Sequence, residues 1–319
     1  MSEQRIGIQP PAIFLMGPTA SGKTELALQL VESLPLEIVS VDSALVYRGM
    51  DIGTAKPGSE ILARAPHRLI DIREPTQAYS AAEFRQDALQ AMQEITLAGR
   101  VPLLVGGTML YYRALEQGLS ELPKADPGLR ARLEGELQRS GLQRLHKRLA
   151  LLDPEAARRI HENDPQRTLR ALEVIELTGR PLSELQSAGR GDRLPYRLLK
   201  LVRAPKDRKE LHRRIEARFM RMLDAGFADE VRGLQQLPGF TPQLPAMRAV
   251  GYRQMIRHLL GELSWEEMIE QGVIATRQLA KRQFTWLRSE PACIWLEESP
   301  DLLNQLTSLI TGFLANPEE

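Results

Sequence analysis

Short apolar runs alternate with helical spacing through the first third of the chain. Ala12–Met16 and Val101–Val105 are apolar throughout, and each stops at glycine. Runs of that length predict strands of a parallel sheet covered on both faces, where alternation is not needed. Glu37–Val41 reads as another strand and Leu69–Ile72 as a further candidate. Between them, Lys23–Glu32 has helical spacing. Ala81–Ala98 places Phe84, Ala88, Met92 and Ile95 on one face of a helix.

The middle of the chain changes character. From Pro123 to Pro195 the pattern is helical, with helix starts at Asp126-Pro127 and Asp164-Pro165, where proline suits the first helical position. Gly189–Gly191 marks a loop, and Leu198–Val202 returns to strand composition. Helices follow near Asp207–Ala225, Phe227–Leu237, Arg248–Leu260 and Trp265–Leu287, with a last strand at Cys293–Leu296 and a frayed acidic end from Glu318. The expected fold class is therefore α/β: a parallel-sheet core, residues 1–122 and 198–319, with an inserted all-helical domain over 123–197.

Composition narrows the function classes. At 319 residues and 43% hydrophobic content the chain can build a core, but no uncharged apolar run approaches the about 18 residues of a membrane span. The first ten residues lack the basic-then-apolar layout of a secretory signal. One cysteine, Cys293, excludes an internal disulfide and a cysteine-rich zinc site, and fits a reducing cytoplasm and a small core residue. The five histidines have no metal-ligand spacing. Net charge is only +1, yet residues 124–200 and 201–290 each hold 16 basic against 11 acidic residues. A basic middle in a near-neutral chain points to a polyanion partner.

Gly17-Pro18-Thr19-Ala20-Ser21-Gly22-Lys23-Thr24 has the spacing of a phosphate loop, and it stands between a predicted strand and a predicted helix as that motif requires. Backbone N–H groups and the helix N-terminus would surround phosphate oxygens, Lys23 would reach a terminal phosphate, and the Thr24 hydroxyl would ligate Mg²⁺. The loop alone specifies a polyphosphate and is compatible with ATP. Asp42, ending the second strand, is a carboxylate able to hold a hydrated metal or to act as a general base. The strand Val101–Val105 ends in Gly106-Gly107-Thr108, where an ordinary ATPase would often carry an aspartate.

Together with the loop, the stretches Asp42–Pro57, Gly106–Tyr111, Asp164–Arg167, Val250–Arg253 and Lys281–Arg288 resemble the bacterial tRNA dimethylallyltransferases, also called tRNA isopentenyltransferases. The resemblance covers about residues 12–290. It implies a P-loop NTPase-like core whose helical insertion grips a tRNA anticodon stem-loop, with Mg²⁺ in support. The implied reaction moves a dimethylallyl group from dimethylallyl diphosphate to N6 of the adenosine 3′ of the anticodon, in tRNAs reading codons that begin with U.

On that resemblance, Lys23, Thr24 with Mg²⁺, Thr19 and Arg218 hold the departing diphosphate, with Arg214 as the rival to Arg218, and Asp42 takes the N6 proton. Because N6 is reached only from a base edge, the adenine is expected to leave its stack and to meet Asp42, Ser43, Ala44, Leu45 and Thr108. The remaining RNA contacts are expected from Arg130 and Gln166-Arg167-Thr168-Leu169-Arg170. Two further segments are Met247-Arg248-Ala249-Val250-Gly251-Tyr252-Arg253 and Lys281, Arg282, Gln283, Thr285, Trp286 and Arg288, where cations and aromatics interleave. A monomer suffices to grip a stem-loop. A P-loop kinase of small molecules and a nucleotide-gated RNA-binding protein are the competing readings. The first leaves the basic insertion unexplained, and the second leaves Asp42 without a task.

Overall fold

The computed structural model describes residues 9–189 and 191–316. The acidic end expected to fray from Glu318, and Arg190 of the predicted loop, lie outside them. In chain order the elements begin with β1 (Pro11–Met16), α1 (Lys23–Ser33), β2 (Leu36–Val41), α2 (Ser59–Arg64), β3 (His67–Arg68), α3 (Ala81–Leu97), β4 (Val101–Gly106) and α4 (Met109–Gln117). Five helices follow: α5 (Pro127–Ser140), α6 (Leu142–Leu152), α7 (Pro154–Arg159), α8 (Pro165–Thr178) and α9 (Leu182–Ser187). The chain ends with β5 (Arg197–Arg203), α10 (Arg208–Asp224), α11 (Phe227–Gln235), α12 (Tyr252–Leu259), α13 (Trp265–Ser289), β6 (Cys293–Leu296) and α14 (Leu302–Ala315).

The six strands form one sheet in the order β3-β2-β4-β1-β5-β6, and every pairing is parallel. Strands β1, β2 and β4 lie side by side with Met16 and Val41 both opposite Gly106, so their carboxyl ends finish level. That edge is where an open α/β sheet binds ligands. Ile13, Leu15, Ile38 and Leu103 on one face pack with Leu26 and Leu30 of α1 and Ile310 of α14. A second cluster joins Val46, Tyr47 and Met50 to Phe227, Met247, Tyr252 and Met255, so the segment after β2 is held by α11 and α12.

Compactness divides the chain into one unit of residues 1–115 with 195–319 and a second of 116–194. The second unit starts seven residues earlier than the sequence pattern suggests and ends three sooner. The reason is that its two ends are tied together: the Leu194 N–H donates to the Glu116 carbonyl at 3.1 Å, and that of Gly191 to Leu119 at 3.0 Å. Its own core comprises Leu133, Leu145, Leu149, Leu172 and Val174. Both predicted Asp-Pro starts are present, Asp126 accepting from the Leu129 N–H and Asp164 from that of Arg167. Asp153-Pro154 is a third of the same kind.

Three expectations need correction. The third strand is His67–Arg68, not Leu69–Ile72, because Leu69 and Asp71 adopt left-handed φ values of 66° and 55°. The helix expected over Arg248–Leu260 is broken at Gly251, φ 92°, and begins at Tyr252. Cys293 is half-buried on the edge strand instead of lying in the core.

Candidate active site

Residues 17–22 connect β1 to α1 and carry the backbone in a tight curl, with Ala20 at φ 60° and Gly22 at φ 83°. A left-handed alanine is uncommon and marks a conformation held by its surroundings. What holds it is Gln283 of α13. Its side-chain oxygen accepts from the Thr19 N–H at 2.9 Å, and its Nε2 donates to the Gly107 carbonyl at 2.9 Å. The contact is close: a Cβ on Gly107 would stand 2.4 Å from that Nε2, so a side chain there would push the Gln283 amide from its place. The second glycine of the strand end therefore makes room for a strut, in addition to any approach of ligand.

Asp42 follows β2 directly. Its Oδ1 accepts from the Ala44 N–H at 2.8 Å and more weakly from that of Leu45 at 3.4 Å, which fixes the carboxylate at the head of its own turn. Thr108 is set beside it: its N–H donates to the Val41 carbonyl, and its Oγ1 accepts from the Ser43 N–H at 3.1 Å.

Lys23, Asp42 and Arg218 form an electrostatic group. Burial pushes Lys23 down to about 8, with Asp42 opposing that shift and Arg218 adding to it. Arg218 is likewise lowered, chiefly by burial. Two like charges are thus held near each other in a half-buried place, an arrangement that gains from an arriving anion. The Arg218 Nη2 donates to the Thr54 carbonyl at 3.0 Å, whereas Arg214 is already engaged by Glu210 and Glu298. A cavity of about 540 Å³ is lined by Thr19, Lys23, Thr24, Asp42, Thr108 and Arg218. A larger one of about 1460 Å³ shares Ala20, Lys23, Thr24 and Arg218 in its wall. The phosphate loop is thus reached from two sides.

The residues present fit a hard divalent cation. Among the described residues no cluster of three histidine, cysteine or carboxylate ligands exists. The smaller cavity instead offers the Thr24 hydroxyl, the Asp42 carboxylate and the buried, unpartnered Ser40 hydroxyl, and the larger one the buried, unpartnered Ser21 hydroxyl. A sparse oxygen set of that kind suits Mg²⁺, which keeps several waters and takes substrate phosphate oxygens.

A sequence model described as IPP transferase matches residues 45–290. The chain is 62% identical over 290 residues, 91% of either sequence, to a tRNA dimethylallyltransferase of Thioalkalivibrio sulfidiphilus. It is 64% identical over 281 residues, 88% of either, to one of Alkalilimnicola ehrlichii. The chain belongs to the IPP transferase family. It is a prenyltransferase with a P-loop NTPase-like fold. A full-length tRNA isopentenylpyrophosphate transferase from Bacillus halodurans superposes with a TM-score of 0.71 at 35% identity, covering 97% of this chain and 98% of that one. A eukaryotic dimethylallyltransferase described as acting on tRNA gives 0.79 at 25% identity, covering 96% and 80%. The family model begins at residue 45, after Gly17–Thr24, whereas the structural match to the Bacillus halodurans enzyme covers 97% of the chain.

Within this prenyltransferase, the residues assigned to RNA from sequence separate into two groups. Arg248, Arg282 and Trp286 line the smaller cavity with Thr108, and Arg282 and Arg248 are exposed. Gln166, Arg167, Arg253, Lys281, Thr285 and Arg288 are also exposed, Arg167 with 69% of its side chain in solvent. Trp286 packs its ring under the Arg113 guanidinium at 4.1 Å.

The other group is structural. Met247 and Tyr252 are wholly buried, Thr168 and Leu169 lie in the insertion core, and Gln283 is the strut described above. Arg130 and Arg170 both meet the fully buried carboxylate of Glu173, and Arg170 also donates to the Pro123 carbonyl. These are fold-holding contacts, for the reason that buried carboxylates require partners. Glu173 was invisible in the sequence because a carboxylate on an apolar helix face breaks the pattern that locates the core.

Two side chains that the sequence reading passed over shape the site. Glu230 of α11 accepts from the Asp51, Ile52 and Gly53 N–H groups at 2.8, 2.6 and 3.2 Å. Lys56 is buried against Asp51, Asp71 and the Tyr47 carbonyl. The run Gly53-Thr54-Ala55-Lys56-Pro57 was the available signal.

Proposed function

We propose that the enzyme transfers a dimethylallyl group from dimethylallyl diphosphate to N6 of the adenosine 3′ of the anticodon, in tRNAs reading codons that begin with U. The products are N6-isopentenyladenosine and diphosphate. The observation that carries this reading is the shared wall: one cavity is lined by the phosphate loop, by Lys23 and Arg218, and by the Asp42 carboxylate. A base and an anion cradle facing one space suit displacement of a diphosphate by a weak nucleophile. The names of the relatives and structural neighbours support the substrate class.

The N6 lone pair is delocalised into the ring, so the electrophile must do most of the work. As N6 bonds to C1 of the donor, the C1–O bond breaks and its electron pair goes to the bridging oxygen of the diphosphate. Lys23, Arg218 and the N–H groups of the loop take up that charge, and the Thr19 hydroxyl donates to the bridging oxygen. Asp42 takes the N6 proton as the new bond forms. The Thr24 hydroxyl would hold Mg²⁺, which when bound would supply charge neutralisation to the leaving group.

Ser43, Ala44, Leu45 and Thr108 hold the flipped adenine, while the exposed arginines and lysines of α8, α12 and α13 meet RNA phosphate. The enzyme acts as a cytoplasmic monomer, and among the described residues no helix is long and apolar enough to cross a membrane. Incubation with Mg²⁺, labelled dimethylallyl diphosphate and unmodified tRNA, followed by nucleoside mass spectrometry, tests the assignment. A mass gain on adenosine is expected. Its absence with folded enzyme, or phosphoryl transfer from ATP in its place, would reject it.

A further inference from the structure

The guanidinium of Arg218 is aimed by a backbone carbonyl, and that carbonyl belongs to a loop with an unusual hold. Gly53, Thr54, Ala55 and Pro57 line the cavity that also has Lys23 and Asp42 in its wall. The Thr54 carbonyl accepts from Arg218 at 3.0 Å. One turn earlier, three consecutive N–H groups converge on the Glu230 carboxylate: Asp51 and Ile52 on Oε2, Gly53 on Oε1. The same Oε1 accepts from the Tyr252 hydroxyl at 2.6 Å.

Every member of this clasp is fixed from behind. Tyr252 is fully buried and meets Phe227 edge to face, with ring centroids 5.0 Å apart. Burial, reinforced by the facing carboxylate of Glu230, holds its phenol far above the ordinary range, so it remains a donor. Gly53 lies against both rings: a Cβ there would stand 2.2 Å from Phe227 and 2.6 Å from Tyr252. On the far side of Thr54, the Lys56 ammonium closes the loop through Asp51 and Asp71. An anion below and a cation above therefore determine where the Thr54 carbonyl points.

We infer that Glu230 is a positioning residue for prenyl transfer, setting the Arg218 guanidinium against the diphosphate through the loop 51–54. This rests on the proposed function and adds to it a residue that touches neither substrate. Charge-assisted hydrogen bonds from three successive amides are stronger than neutral ones and fix a direction. Glu230→Gln keeps the size but presents an NH₂ group to amides that need an acceptor. The loop then relaxes, and Arg218 loses its aim. A misplacement of about 1 Å costs about 10²-fold when the displaced group stabilises a developing charge.

The test is a double-mutant cycle on single-turnover prenylation of tRNA, with Glu230→Gln, Arg218→Gln and both together. Glu230→Gln is expected to lower the rate by about 10–100-fold, and to lower it less than about 2-fold once Arg218 is already Gln, since contacts in one chain of action are not additive. Binding of inorganic pyrophosphate with Mg²⁺, measured by calorimetry, is expected to weaken in step, while affinity for tRNA is unchanged. Amide exchange of residues 51–53 is expected to quicken. Tyr252→Phe, which leaves the three amides clasped, is expected to give the smaller rate loss and controls for a folding defect. An equal loss in both Arg218 backgrounds, or pyrophosphate binding at the wild-type level, would overturn the inference while leaving the wild-type reaction intact. Absence of prenylation by the wild type would instead remove the proposed function.

Discussion

Replacing Gln283 by leucine separates two accounts of one residue. Sequence alone places Gln283 in a basic, aromatic segment and makes it an RNA contact. The structure makes it a strut with 9% exposure, bonded at 2.9 Å to both the Thr19 N–H and the Gly107 carbonyl. Leucine has similar volume but leaves a donor and an acceptor unpaired. Each such buried group costs about 1–3 kcal/mol, so the expected loss is roughly 2–6 kcal/mol. For a unit of this size, at about 2–4 °C per kcal/mol, that lowers the melting temperature by roughly 4–24 °C. Thr19 and Ala20 would also lose their fixed conformation, and single-turnover prenylation should fall by about 10–100-fold.

Affinity for tRNA should not change. Thermal unfolding, rapid-quench kinetics and filter binding on the one variant give all three quantities. A variant that melts within about 1 °C of wild type and binds tRNA tenfold more weakly would refute the strut and restore the RNA contact.

Other predictions follow from the same contacts. Asp42→Asn should bind tRNA normally but transfer at least about 10²-fold more slowly, the lower range for losing a general base; turnover near wild type would remove that role. Glu173→Ala strands Arg130, Arg170 and the Asp126 N–H, and should cost about 3 kcal/mol in unit 116–194, seen as faster amide exchange there before the rest of the chain opens. The exposed set Arg167, Arg248, Arg253, Lys281, Arg282 and Arg288 counts six cations. At about 0.7–0.9 ions released for each, log K for tRNA against log salt should slope about −4 to −5, and a slope shallower than about −2 would exclude them as the grip.

Asp153 gives a pH dependence. Burial alone would raise its carboxyl, but the Ser183 hydroxyl and the Ala156 and Ser183 N–H groups outweigh that and lower it below 3.8. The unfolded carboxyl takes its proton first, so this stability is present above 3.8 and is lost as pH falls toward the folded value. Asp153→Asn should flatten the acid limb of urea-unfolding midpoints, and an unchanged limb would contradict the assignment.

What the sequence displayed and what it concealed follow one physical line. The strands of the central sheet were legible because burial on both faces leaves unbroken apolar runs, and the phosphate loop because its glycines and lysine serve local geometry. The expected strand Leu69–Ile72 is absent because Leu69 and Asp71 take left-handed φ, while the Asp71 and Ile72 N–H groups donate to the Leu45 and Val46 carbonyls. The functional division among the arginines was hidden for a similar reason. Arg167 and Arg170 sit three apart on one helix, yet one faces solvent and the other grips Glu173. Whether a cation is free for RNA depends on a carboxylate elsewhere, and spacing carries no record of that. Glu230 was hidden likewise, since its partners are backbone amides 177–179 residues away.

On the proposed function, the geometry of Asp42 would let one carboxylate serve both halves of the reaction. Its Oδ1 is committed to the Ala44 and Leu45 N–H groups, while among the described hydrogen bonds Oδ2 accepts none. A proton arriving from N6 therefore has one oxygen to take it, and the carboxylate need not rotate. An aromatic amine sheds that proton readily only after its nitrogen has begun to bond to carbon, so the base acts late, when the diphosphate is already leaving. Asp42 is also one of the charges that Lys23 and Arg218 respond to. On the proposed function, protonating Asp42 would remove its electrostatic pull on those two cations just as the diphosphate gains charge. In that reading, proton transfer to Asp42 would strengthen anion binding by Lys23 and Arg218, and the two events would be joined through a single carboxylate following β2.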